Sequence, residues 1–279
     1  MTTDELLRSK RGVVACVVTT GDVKPQFSAA LSSMRDWNTR NGFVGVEYRF
    51  FDAKLVESGR DAVCRHALAE GYDWVLMIDA DAAGWPPESL AKMLQTAYVT
   101  HQSVHVIGAY AQLKQPPFLP TIDTGTGKWE VQYPNQGVIR VIRTGGHFLF
   151  VKTELLKHMG APWFRTRVPL TPVKAMKELD NFARVTLDGK NPLRDHPEWD
   201  TLMMAAAKAS LGMNAGEIHI GEDSGFCDNA RAVGGQIAVD TDLVTGHVGD
   251  RVITPVDLRD EIRKFDKRLY AAVGVRDYE

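Results

Sequence analysis

"DWVLMIDADAAGW", residues Asp73 to Trp85, sets an apolar run, Trp74 to Ile78, directly before two carboxylates, Asp79 and Asp81. A continuous apolar run of this length reads as a strand buried on both faces. Residues i and i+2 of an extended chain point the same way, so Asp79 and Asp81 can reach one point in space. Two neighbouring carboxylates repel unless one takes a proton or a cation lies between them. A hard divalent cation with oxygen ligands is the natural occupant. The other reading is that Asp81 caps the loop into the next helix.

The surrounding pattern alternates strand and helix. "GVVACVVTT" (Gly12 to Thr20), "VGVEYRFF" (Val44 to Phe51) and "SVHVIGAYA" (Ser103 to Ala111) read as strands. Pro25 opens a helix with Phe27, Leu31, Met34 and Trp37 near one face. Ser58 is placed to cap "SGRDAVCRHALAEG", with Asp61 at the capping-box position and Gly71 as its stop. "WPPESLAKMLQTAY" carries proline in its first turn. Alternation through about residue 111 predicts an α/β fold with a Rossmann-like, mostly parallel sheet flanked by helices. Ligands of such sheets bind beyond the carboxyl ends of the strands, where Thr19, Thr20, Asp79 and Asp81 fall.

Beyond residue 111 turn residues dominate, then two short strands follow, "VIRVIRT" and "HFLFVKT". A long Pro- and Arg-rich stretch, residues 161–197, has the length of a functional loop. "EWDTLMMAAAKASLG" and "GEDSGFCDNARAVGG" read as helices, "QIAVDTDLVTGHVG" as a strand with an exit loop, and "PVDLRDEIRKFDKRLYAAVG" as an amphipathic helix.

The 279 residues, 44% hydrophobic and 24% charged, suffice for one large α/β domain. A net charge of −2 excludes a global attraction to nucleic acid or anionic membrane and leaves room for a local basic groove. Cys16, Cys64 and Cys227 lack metal-ligand spacing and read as reduced, buried thiols. The start "MTTDELLRSKRG" resembles neither a secretory signal nor a membrane anchor, and no apolar run reaches the ~20 residues of a spanning helix. A cytoplasmic protein is expected. No G-x-x-x-x-G-K-[ST] occurs, which excludes a P-loop enzyme.

"YDWVLMIDADA", followed closely by Pro86, resembles the D-x-D signature of GT-A-fold glycosyltransferases. "GEDSGFC" (Gly221 to Cys227) resembles that family's Glu-Asp motif, and Gly246-His247 its C-terminal metal-binding histidine. "TGGHFLFVKTELLKHMGAPWF" (Thr144 to Phe164) resembles the segment beneath sugar and acceptor. The resemblance implies a single GT-A domain over 1–279. Its nucleotide-binding half covers about 12–111, its sugar and acceptor half about 112–252 with a loop at 161–197, and a C-terminal helix spans 253–279.

It also implies transfer of a sugar from a nucleotide-sugar donor, a UDP-sugar first, with Mn²⁺ or Mg²⁺ as cofactor. Asp81 and His247 would be direct ligands, with Asp79 on the ribose or reaching the metal through water. Asp223 would be the base of an inverting transfer, or the cap of its helix; a carboxylate wholly engaged by backbone N–H groups makes a poor base. Glu222 would orient the acceptor. Thr19 and Thr20 would meet base and ribose, Arg60 the nucleotide, and Arg251 the diphosphate or solvent. Gly145 and Gly146 would let a ligand approach the backbone. His147 would touch sugar or acceptor or be an ordinary strand residue, and Trp163 would stack on a sugar or pack. The compact chain resembles small glycosyltransferases of bacteria and their phages, some acting on hydroxymethylated pyrimidines in DNA, others on protein or polysaccharide. Basic residues Arg165, Arg167, Lys174, Lys177, Arg184, Lys190 and Arg194 suit a DNA backbone or a solvated loop. Two alternatives stand beside this reading: a nucleotidyltransferase, and a catalytically inactive nucleotide-sugar-binding protein.

Overall fold

The computed structural model describes residues 2–19, 23–111, 121–125, 134–165 and 221–248, with the backbone of 252–253. The chain forms two compact units, Met1–Arg165 with Asp223–Glu279 and Thr166–Glu222. The architecture below is that of the first. The helices expected at 198–212 and 255–274, and the loop beyond Arg165, lie outside the described residues.

The run at Gly12–Val18 forms β1, buried along its whole length. It is flanked by β2 (Val46–Asp52) and β3 (Trp74–Asp79), both parallel to it. Three helices run between or before these strands: α1 (Thr3–Ser9), α2 (Pro25–Arg40) and α3 (Val56–Ala69). A two-residue strand, β4 (Ala82–Ala83), follows the aspartates, and α4 (Ser89–Gln95) continues as a π-helical turn over Thr96–Thr100. Pro86 and Pro87 lack backbone donors, and regular helix begins only after them. Then come β5 (Val106–Tyr110), β6 (Ile122–Asp123), β7 (Val138–Val141), β8 (Arg143–Thr144), β9 (Phe148–Lys152) and α5 (Thr153–Met159). The described chain closes with α6 (Glu222–Ala232), β10 (Ile237–Val244), β11 (Gly246–Val248) and β12 (Val252–Ile253).

Seven strands make the central sheet in the order β2-β1-β3-β9-β5-β10-β7. β9 runs antiparallel to both β3 and β5, and β7 antiparallel to β10; the other neighbours are parallel. This is the Rossmann-like mixed α/β sheet that the alternation predicted, consistent with a GT-A fold. Side-chain alternation divides the core between the two faces. Val75 and Met77 of β3 join α3, α5 and α6 residues such as Cys64, Leu156 and Phe226, while Trp74, Leu76 and Ile78 join Phe27, Met34 and Leu90 of α2 and α4. Among the described residues no helix is long and apolar enough to cross a membrane.

Two local expectations change. α3 begins at Val56 without a side-chain cap, so Ser58 is not its N-cap. Asp61 lies inside the helix and is buried, and its Oδ1 accepts the backbone N–H groups of Trp163 and Phe164, each at 3.0 Å. A long-range demand for an acceptor thus outcompetes the local capping box. The segment "VIRVIRT" also splits, because β7 pairs with β10 while β8 pairs with β6.

All three cysteines are free and buried. Burial, the largest cause in each case, pushes Cys16 and Cys227 from the usual 9 up to about 12 and Cys64 well above 9; Asp79 and Asp52 add to the effect at Cys16. The thiolate is the reactive form. At pH 8 the native protein is therefore expected to leave a disulfide reagent unreacted, whereas all three thiols titrate in urea; rapid native reaction at any of them would contradict this packing. Asp61→Ala strands two buried N–H groups and is expected to cost about 2–4 kcal/mol of unfolding free energy, read by urea denaturation.

Candidate metal centre

β3 delivers Asp79 to the carboxyl edge of the sheet, Asp81 follows in the turn before β4, and two strand pairings bring histidines to them. The N–H of Asp79 donates to the carbonyl of His147 at 3.0 Å, one step beyond the Ile78–Phe148 pair of β3 and β9. On the other side β11 pairs antiparallel with β4, setting His247 opposite Ala82. The N–H of Val248 closes this ladder by donating to the carbonyl of Asp81 at 2.7 Å.

Asp81, His147 and His247 each offer a ligand atom within 4.8 Å of the other two. The imidazole rings lie 3.6 Å apart between centroids, and their residues are only 4% and 8% exposed. Nε2 of His147 lies 3.1 Å from the carbonyl oxygen of Gly246. A carbonyl only accepts, so Nε2 carries the proton and donates it. Nδ1 then faces Oδ1 of Asp81 at 3.8 Å and Oδ2 of Asp79 at 4.0 Å. A nitrogen lone pair facing carboxylate oxygens is a donor set that a metal ion can share. Ligands at about 2.0–2.2 Å from one ion lie ~3–4.4 Å from each other, so the 3.8 Å pair fits a shared ion. The three residues could therefore hold a metal.

Asp79 has a different partner. Nη2 of Arg60 donates to both of its carboxylate oxygens, at 2.8 and 3.1 Å. Arg60, which the resemblance assigned to the nucleotide, is 2% exposed and lies against Asp79. Its guanidinium lies 5.7 Å from the ring centre of Phe164, which in turn stacks on Phe226 of α6 at 4.4 Å and 5°. The Gly145-Gly146 turn frees space that the protein itself fills. A Cβ on Gly146 would meet the Arg60 guanidinium at 2.4–2.7 Å, and one on Gly145 would meet Thr121 at 2.8 Å.

Asp223 comes to the same turn. Its Oδ2 accepts the N–H of Gly146 at 3.2 Å and its Oδ1 that of Ser224 at 2.6 Å. Helix-start and site-facing roles are thus combined in one carboxylate. Glu222 opens α6, and Thr19 is exposed just past β1. Thr20 and Arg251 lie outside the described residues. Trp163 does not present a ring face to a sugar: it is 4% exposed in the core, and its indole N–H donates to the carbonyl of Leu156 at 2.9 Å.

Sequence reading left His147 as a contact to sugar or acceptor or an ordinary strand residue, and did not set it beside Asp81. Only the antiparallel insertion of β9 next to β3 puts it there, and residue spacing carries no mark of which strand becomes a neighbour.

No family model matches the chain, and neither does any curated protein sequence. Among solved structures the chain is similar to A197 from STIV, at TM-score 0.51 and 15% identity over 88% of this chain and 91% of that one. Identity at that level shows a shared fold alone. A glycosyltransferase involved in glycosylation of the major capsid of PBCV-1 aligns at TM-score 0.29 and 11% identity, over 55% of this chain and 68% of its own. A structure described as a glucose-1-phosphate thymidylyltransferase from Bacillus anthracis aligns at TM-score 0.33 and 10% identity, over 55% and 76%. Scores this low carry no argument about activity.

Gly146→Ala is expected to lower the unfolding free energy by about 1–3 kcal/mol through overpacking against Arg60. In an Arg60→Ala background the same change should cost much less, a coupling that a double-mutant cycle in urea measures directly.

Proposed function

We propose that the chain is a metal-dependent glycosyltransferase, moving a sugar from a nucleotide-sugar donor, with a UDP-sugar favoured, to an acceptor hydroxyl with inversion. The observation that supports it most is the meeting of Asp81, His147 and His247 at the carboxyl edge of a Rossmann-like sheet, with Asp223 bonded to Gly146, the residue before His147. The reading draws its choice of reaction from the motif resemblance.

Asp81, His147 and His247 would hold the ion. When bound, Mn²⁺ or Mg²⁺ supplies positive charge toward the diphosphate of the leaving group. Asp223 takes the proton of the acceptor hydroxyl while that oxygen bonds to the anomeric carbon. The bond from that carbon to the diphosphate oxygen breaks, and its electron pair leaves with the nucleoside diphosphate. The N–H groups of Gly146 and Ser224 fix the Asp223 carboxylate, and each oxygen keeps a further lone pair for the acceptor. Glu222 orients the acceptor, Thr19 and Thr20 meet base and ribose, and Arg251 adds charge at the diphosphate. Arg60 acts through Asp79 as a positioning residue. Hydroxymethylated pyrimidine in DNA is one acceptor class, beside protein and glycan; of the basic residues that would follow a DNA backbone, Arg165 is described and exposed.

Calorimetric titration of UDP and then GDP, with Mn²⁺ and with EDTA, tests the reading. Binding should require the metal, favour UDP, and weaken at least about tenfold in Asp81→Ala and His247→Ala. Nucleotide binding indifferent to metal and to both substitutions, or no binding at all, overturns it. Salt-sensitive binding of duplex DNA would support that acceptor, and its absence would remove it.

A further inference from the structure

We infer that this centre selects a late first-row transition ion over Mg²⁺, and holds it in the free protein before any nucleotide is present. The inference rests on the reading of the site as a metal centre, and not on the transfer reaction.

Three observations carry it. The first is the donor set, with two imidazole nitrogens and one carboxylate converging within 4.8 Å. Mg²⁺ favours an octahedron of oxygens and parts with its waters reluctantly, whereas imidazole suits Fe²⁺, Co²⁺, Ni²⁺ and Zn²⁺. The second is the fate of the other carboxylate. Two aspartates in D-x-D would make an oxygen-rich site, whereas the cluster that converges within 4.8 Å takes its one carboxylate from Asp81. Asp79 instead accepts from the buried Arg60 guanidinium, at 2.8 and 3.1 Å. The third is preparation of the ligand. The bond from Nε2 of His147 to the Gly246 carbonyl leaves Nδ1 as the coordinating atom and holds the ring's orientation, a support commonly found behind metal-binding histidines.

Both histidines are mounted on hydrogen-bonded strand ladders, His147 at the mouth of β9 and His247 on β11. Three donors positioned by backbone pairing need no phosphate oxygen from a substrate to complete them. Mg²⁺ sites, in contrast, commonly combine one or two carboxylates with substrate phosphates. The protein is thus built to carry its ion before a nucleotide arrives.

The test uses the full chain, stripped with a chelator and kept free of nucleotide. Co²⁺ is titrated while its visible ligand-field absorption is followed, and Zn²⁺, Mn²⁺ and Mg²⁺ are compared by calorimetry. Zn²⁺ and Co²⁺ should bind at least about 100-fold more tightly than Mg²⁺, with Mn²⁺ between them. His147→Ala should weaken Co²⁺ at least about tenfold and change its spectrum, while substitution of the exposed His158 to Ala should leave both as in the wild type. Thermal unfolding of the chelated proteins shows whether His147→Ala is folded; if it is not, the wild-type ion order decides alone. Zn²⁺ and Mg²⁺ binding within tenfold of each other, or a folded His147→Ala that binds Co²⁺ like the wild type, overturns the inference. Because no nucleotide is present, a protein that holds Co²⁺ selectively yet fails to bind UDP or GDP would uphold this inference and overturn the transferase reading.

Discussion

β9 runs against both of its neighbours, and the candidate site depends on that reversal. A parallel strand beside β3 would bring its C-terminal end to the carboxyl edge of the sheet. The antiparallel β9 brings its N-terminal end there instead, with the Gly-Gly turn and His147 attached. The same strand is hydrogen-bonded to β5 on its far side and buried throughout, so its register is set by two ladders and by the core. A one-residue slip would turn Leu149 and Val151 out of one hydrophobic layer and Phe148 and Phe150 out of the other. Core packing is in this way what aims an imidazole at Asp81.

The two carboxylates at the end of β3 and in the turn after it have different partners. Asp79 meets a guanidinium, and Asp81 lies with two imidazoles in a set of metal-ligating groups. A buried ion pair repays its desolvation only when its geometry is good and its remaining groups are satisfied. Arg60 gains both carboxylate oxygens, the face of Phe164 and the open backbone of Gly146, where any Cβ would collide with it. The stacked Phe164 and Phe226 link this clamp to α6, the helix that carries Asp223. The Arg60–Asp79 pair is thus packed through two aromatic rings against the helix that carries Asp223.

Asp61, the next residue of α3, shows the same economy. One buried carboxylate oxygen accepts two successive backbone N–H groups, pinning Trp163 and Phe164 into the core. Trp163 is thereby packed into the core, and the ring of Phe164 lies beneath the Arg60 guanidinium. Beyond β5, an irregularity in the register of β10 between Asp240 and Val244 frees the chain to leave the sheet and form β11, which carries His247 to β4.

Local pattern by itself determined much of this protein. The apolar runs at Gly12–Val18 and Trp74–Ile78 can be satisfied only as doubly buried strands, and the alternation with amphipathic helices follows from the periods 2.0 and 3.6. The positions of Asp79 and Asp81 at a strand end, and of Asp223 at a helix start, were legible for the same reason: strand and helix boundaries are written in nearby residues. Partnership was not. That Arg60 takes Asp79, that Asp61 holds residues a hundred positions away, and that His147 joins Asp81 and His247 all arise from which strands become neighbours and in which direction. Those choices are made by burial summed over the whole sheet, a quantity no short stretch of sequence contains.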